Sequence, residues 1–115
     1  MPMDLTPQVP EGRQLVQAYR PGGFRIGGRE HAGSVLVFPG RTLPWPVTSV
    51  DGLTVDDLGP VLEAAAQVDL LLVGCGDSFA MVSPALRREL RERGVVVEAM
   101  DTAAACRTYN VLLSE

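Results

Sequence analysis

The second half of this chain alternates between apolar runs of strand length and amphipathic runs of helix length. Few folds accommodate that alternation. Residues 68–73, Val-Asp-Leu-Leu-Leu-Val, read as a buried strand, and Gly74-Cys75-Gly76-Asp77-Ser78 follows as a glycine-rich turn. Ser83 before Pro84 has the form of an N-cap with proline at the first helical position. Leu86 and Leu90 then share an inner helical face, Arg88/Glu92 and Glu89/Arg93 form i,i+4 pairs outside, and Gly94 is the stop. Residues 95–100 predict the next strand, and Asp101 or Thr102 caps a last helix to about Leu113. Strand, helix and strand at this spacing predict a parallel crossover. The turn at 74–78 and the cap at 101–102 then lie at one edge of the sheet.

The first half has a different texture. Residues 1–12, with Pro2, Pro7 and Pro10, read as a flexible N-terminal arm. Residues 14–19, 24–26 and 34–38 read as strands of an antiparallel meander, the last apolar enough to be buried on both faces. Residues 28–33 read as a hairpin-like turn carrying the only histidine, His31, in solvent. Residues 41–52 read as irregular, because Pro44 and Pro46 forbid a central strand, and Trp45 reads as a plug at the core edge. Thr54 with Asp57 three residues on predicts a helix start, and Leu58, Val61, Leu62 and Ala65 fall on one face. Pro60 requires either a first turn with a restart near Gly59 or a kink.

At 115 residues the chain predicts a single domain over 13–115 behind the arm. The net charge of −4 speaks against a nucleic-acid partner. No apolar run approaches the ~20 residues of a membrane helix, so no membrane insertion is expected. The first residues carry neither a basic region nor an apolar run of the signal-peptide kind, and the expected compartment is the cytoplasm. All ten basic residues are arginine. The absence of lysine excludes Schiff-base chemistry, pyridoxal-phosphate attachment and a Walker-type phosphate lysine. One histidine and two separated cysteines, Cys75 and Cys106, are too few for a structural zinc site, so no metal and no cofactor are expected. Both thiols are expected to be reduced.

Gly74-Cys75-Gly76 begins like a dinucleotide fingerprint and then departs from it. The third small residue would fall at position 79, which is Phe, and the helix starts several residues late. Glu98 stands about where a ribose-binding acid would, but one crossover is too little for a dinucleotide fold. Anion binding by exposed backbone N–H groups is the chemically simpler alternative. Asp77 and Asp101 could act as a carboxylate pair, although such residues more often cap turns and helices. Cys106 fits a reactive thiol or a small buried hydrophobe. Arg107 fits a surface charge or an anion clamp.

The run Met100-Asp101-Thr102-Ala103-Ala104-Ala105-Cys106-Arg107-Thr108-Tyr109-Asn110-Val111-Leu112 resembles the signature of the Mth-domain family. Leu71-Leu72-Val73-Gly74-Cys75-Gly76, the Ser83-Pro84 helix start and the passage from Phe38-Pro39 to Pro44-Trp45 resemble it too, so that the likeness covers about Gln14 to Glu115. The family includes a mitochondrial assembly factor for respiratory complex I, an adipogenesis-associated protein and small bacterial members of unassigned function. The resemblance implies an α/β fold of three layers: a central mixed sheet, helices and an added β-hairpin layer. Relatives usually carry Thr where this chain has Cys75, which speaks against an essential thiol. They also usually continue past the last helix into a further strand, whereas this sequence stops at Glu115, through either a shorter fold or a truncated chain. The expectation is a sheet edge open to a partner or a second copy.

Two functions are carried forward. The first is a non-enzymatic accessory or assembly factor acting through protein–protein contacts with an unidentified partner; a homo-oligomer is compatible with it. The alternative is a small-ligand or anion-binding protein, conceivably an enzyme, using a crevice between 74–78 and 101–107. Its candidate residues are Gly74, Gly76, Asp77, Ser78, Asp101, Thr102 and Arg107.

Overall fold

A computed structural model of the chain describes residues 12–77 and 80–115. The expected arm therefore lies outside the described residues except for Gly12. In chain order the elements are β1 (Val16–Arg20), β2 (Gly23–Ile26), β3 (Arg29–Ala32), β4 (Val35–Phe38), β5 (Arg41–Pro44), α1 (Gly59–Glu63), β6 (Leu70–Gly74), α2 (Pro84–Glu92), β7 (Val96–Met100) and α3 (Thr102–Leu113). The fold is mixed α/β. The strands hydrogen-bond as a three-stranded antiparallel sheet in the order β1-β2-β3, an antiparallel hairpin β4-β5 and a parallel pair β6-β7. Two compact units result. One takes in residues 12–46 and 106–115, the other residues 47–105.

In the first unit Val16, Ile26 and Leu36 are buried. The Tyr19 and Phe24 rings lie 5.2 Å apart between β1 and β2. A register shift between Val16 and Ala18 marks a bulge in β1. Gln14 ties the two sheets of this unit together: its N–H donates to the Pro39 carbonyl at 3.0 Å, and its Oε1 accepts from Thr42 Oγ1 at 2.7 Å.

Three expectations for this half are corrected. His31 is not in a solvated turn; it sits in β3 opposite Phe24, half-buried. Its strand, Arg-Glu-His-Ala, shows no apolar alternation because it is a sheet edge, held by backbone bonds to β2 and not by side-chain burial. Residues 41–44 are not irregular but form β5, which pairs with β4 in a hairpin. Pro44 closes that strand at a sheet edge, where the missing N–H leaves no ladder bond unmade. In β4 only Leu36 is buried, so the strand is covered less fully than its apolar run suggests. Trp45 is half-buried, with its N–H donating to the Ser34 carbonyl at 3.0 Å.

The second unit follows its local signals at its caps and stops, with two corrections: β6 is covered less fully than its apolar run suggests, Val73 being buried and Leu70 exposed, and the helical face expected through Ala65 ends at Glu63, with a separate 3-10 turn over Ala65–Gln67. The Asp57 carboxylate accepts from the Thr54 N–H at 2.9 Å and from Thr54 Oγ1 at 3.2 Å. That cap opens a 3-10 turn over Val55–Leu58, and α1 restarts directly after it with Pro60 in its first turn. The restart resolves the proline conflict, because a first-turn proline lacks an N–H that would have no helical partner anyway. Leu58 and Val61 are buried. Ser83 caps α2 by accepting from the Leu86 N–H at 3.1 Å. Leu86 and Leu90 point inward with Val73, Val95 and Val97 into the core of this unit. The chain returns through a tight turn in which the Val95 N–H donates to the Leu90 carbonyl at 2.9 Å. Strand β7 then pairs with β6 in parallel, from Leu70 opposite Val96 to Gly74 opposite Met100. Arg87 of α2 donates to the Val97 carbonyl at 2.7 Å and fixes the helix against β7.

Candidate functional site

The ends of β6 and β7 meet through a reciprocal set of hydrogen bonds. Past Gly74, the Cys75 N–H donates to the Met100 carbonyl at 2.8 Å. The Gly76 N–H donates to Thr102 Oγ1 at 2.8 Å, and the Thr102 N–H donates to the Gly76 carbonyl at 2.8 Å. The parallel pairing is thereby extended into the turn on one side and the start of α3 on the other. Thr102 is buried at this junction.

Both glycines have a geometric reason. A Cβ on Gly74 would stand 3.0 Å from the Thr102 Cα and 3.1 Å from its Oγ1, so only glycine lets α3 begin this close to β6. Gly76 has open space around it, but its φ of +83° lies in the left-handed region. Asp101 is the cap of α3, its Oδ1 accepting from the Ala104 N–H at 2.8 Å. The negative carboxylate sits at the positive end of the helix dipole.

The structure thus brings together Gly74, Gly76, Asp101 and Thr102. Asp77 is exposed just past the turn, and Ser78 lies outside the described residues. Arg107 is exposed on α3 and belongs to the first unit. The backbone donors that an anion would use at Cys75 and Gly76 are already bonded to Met100 and Thr102. What the turn presents to solvent is the Asp77 carboxylate, which an anion avoids. Glu98 is exposed on β7, opposite Leu72. Cys75 is half-buried, with its Sγ 3.6 Å from the Val73 carbonyl and 3.7 Å from the Ala80 carbonyl. Burial pushes the Cys106 thiol up, outweighing the opposing pull of Arg107, so it is held in the unreactive protonated form. Among the described residues no three of His, Cys, Asp and Glu gather as a metal site.

One specific contact was not foreseen. The Asn110 side chain reaches from α3 to the backbone of β1 within the first unit, its Oδ1 accepting from the Val16 N–H at 2.9 Å and its Nδ2 donating to the Val16 carbonyl at 2.8 Å. It completes the strand edge as a neighbouring strand would. Of the Thr-Tyr-Asn run it is Asn110 that makes this contact, and helical periodicity gives no hint that its partner lies 94 residues away. Its neighbour Tyr109 has a buried hydroxyl with no hydrogen-bond partner among the described residues, and burial pushes its pKa up to about 12 against a smaller opposing effect of Arg13.

Comparison with known proteins places this architecture. Residues 16–115 match the model of a family described as a protein of unknown function, DUF498/DUF598. An uncharacterized protein of Rhodobacter capsulatus is 41% identical over 113 residues, covering 96% of this chain and 86% of its own length. NADH dehydrogenase (ubiquinone) 1 alpha subcomplex assembly factor 3 of Xenopus tropicalis is 34% identical over 101 residues, 88% of this chain; the chain spans 55% of that relative's length. The solution structure of a Bordetella pertussis protein described as a Mth938-like domain superposes with a TM-score of 0.78 at 27% identity, covering 97% of this chain and 85% of that one. With the family model spanning both compact units, the chain belongs to the DUF498/DUF598 family and has a Mth938-like α/β fold.

Proposed function

We propose that this protein is an accessory or assembly factor that works through protein–protein contacts and not through catalysis. The observation that carries the reading is the 34% identity to a complex I assembly factor across 88% of the chain. The junction of β6, β7 and α3 adds to it, because its glycines and caps are engaged in holding the fold. No helix among the described residues is long and apolar enough to cross a membrane. The free thiols of Cys75 and Cys106 suit a reducing compartment, and the cytoplasm is the proposed one. The test is affinity capture of the tagged full chain, after crosslinking, from the cell that expresses it. A partner near equal stoichiometry is expected, and its repeated absence overturns the reading.

The ligand reading keeps one point of support, the general rule that ligands of open α/β sheets bind beyond the carboxyl ends of parallel strands. Its residues within the second unit would be Gly74, Gly76, Asp77, Ser78, Asp101 and Thr102. It requires that a small anion or metabolite raise the melting temperature of the protein and that Asp77→Ala abolish the rise. No shift across a broad anion screen removes it.

A further inference from the structure

The phase of the β6–β7 ladder is fixed at both ends. The Val96 N–H donates to the Asp69 carbonyl at 3.0 Å, and the Cys75 N–H donates to the Met100 carbonyl at 2.8 Å. In a parallel pair the bonds toward one neighbour come from alternate residues. With Leu70 opposite Val96 and Gly74 opposite Met100, the residues of β6 that bond to β7 are Leu71 and Val73. The N–H and C=O groups of Leu70, Leu72 and Gly74 therefore point away from β7. Among the described residues they meet no hydrogen-bonded strand and no other backbone group.

Other edges are guarded. Asn110 closes β1 at Val16 with two bonds. Arg87 takes the Val97 carbonyl, which the same ladder phase turns toward the far edge of β7. Strand β3 carries Arg29 and Glu30, and β5 ends in Pro44. Charge, proline and covering groups are what keep an edge from pairing with another chain. Strand β6, Leu-Leu-Leu-Val-Gly, has neither charge nor proline. Its side chains add to this. Val73 and Val97 are buried on one face of the pair, whereas on the other Leu70 and Val96, opposite each other in register, are 38% and 45% exposed. Parallel strands are normally covered on both faces, so uncovered apolar surface adjoins the open edge.

This edge is complementary to itself. Two antiparallel copies of β6 with Leu72 opposite Leu72 set Leu70 opposite Gly74, and each such pair exchanges both of its backbone bonds. Every outward group of the strand is then satisfied. Asp69 falls opposite Cys75, so its carboxylate meets no like charge. Gly74 leaves room beside the Leu70 side chain. We infer that β6 pairs with β6 of a second copy across a two-fold axis at Leu72, giving one sheet in the order β7-β6-β6-β7. The contact is isologous and closes at the dimer. It is independent of the assembly-factor reading, because it needs no other protein.

Two measurements on the full chain test it. Sedimentation equilibrium at rising concentration is expected to pass from monomer to dimer and no further. Amide hydrogen exchange is expected to gain protection at Leu70, Leu72 and Gly74 as the dimer forms, while Leu71 and Val73, bonded to β7, are protected throughout. Leu72→Lys sets two like charges across the axis and is expected to abolish the dimer, as is Leu72→Glu. An equimolar mixture of the two is expected to restore it, because opposite charges then meet. A monomer at every concentration overturns the inference. So does a dimer that survives Leu72→Lys, or one that leaves the amides of 70, 72 and 74 exchanging as in the monomer. Leu72 is half-buried; where a charge there lowers the melting temperature, the exchange pattern of the wild type decides.

Discussion

A Cβ built on Gly74 falls 3.0 Å from the Cα of Thr102, at the edge of the closest contacts that a Cβ makes, and the obstacle is backbone. Gly74→Ala must push the start of α3 away from β6, and the expected cost is about 1–3 kcal/mol, as for other overpacked sites. Urea titration measures it; an unchanged midpoint would mean that the junction is looser than drawn. Tyr109 presents the opposite case. Its buried hydroxyl has no partner among the described residues, so Tyr109→Phe removes a desolvated group without breaking any bond seen there, and stability at neutral pH should be unchanged or higher. Its folded pKa, about 12, lies above the ordinary value of 10. The unfolded chain therefore loses the phenolic proton first. The stabilisation is fully present below pH 10 and is lost as pH rises through about 12. Denaturant midpoints across that window should fall in the wild type and fall less in Tyr109→Phe.

Helix α3 is held by two devices of different range. Asp101 caps it locally, three residues from its donor, and the sequence announces such a cap. Asn110 binds both backbone groups of Val16, and nothing local announces that. Asn110→Ala leaves a half-buried N–H and carbonyl of β1 without partners, at an expected cost of about 1–3 kcal/mol. Hydrogen exchange at the Val16 amide should rise with it, and a variant as stable and as protected as wild type would exclude the latch. Helix α2 is the most legible element: Ser83, Pro84, Leu86, Leu90 and Gly94 stand where start, face and stop rules put them. Leu90 is fully buried, and Leu90→Ala should cost about 2–5 kcal/mol by urea unfolding. Strands β3 and β5 were the least legible. The side chains of β3 do not alternate, and β5 ends in a proline, because an edge strand needs only one paired neighbour and little burial.

Over the molecule as a whole, no three of His, Cys, Asp and Glu gather among the described residues, so prolonged dialysis against a chelator is expected to leave the melting temperature where it was. A fall would point to ligands beyond those described. The order of elements from Thr54 to Leu113, their caps and the inward face of α2 could be read from the residues alone, because a cap, a helical face or a glycine stop acts over ten residues or fewer. The family could be read as well, since its signature is a contiguous run. The role of the glycine-rich turn could not. Gly74-Cys75-Gly76 has the composition of an anion cradle, and only the approach of Thr102, 26 residues on, shows its donors already bonded. The pairing of β3 and β5 and the closure of β1 by Asn110 likewise depend on partners that the chain brings near by folding. Periodicity and punctuation carry information about a segment and its immediate neighbours; which distant group satisfies a given N–H is set by packing.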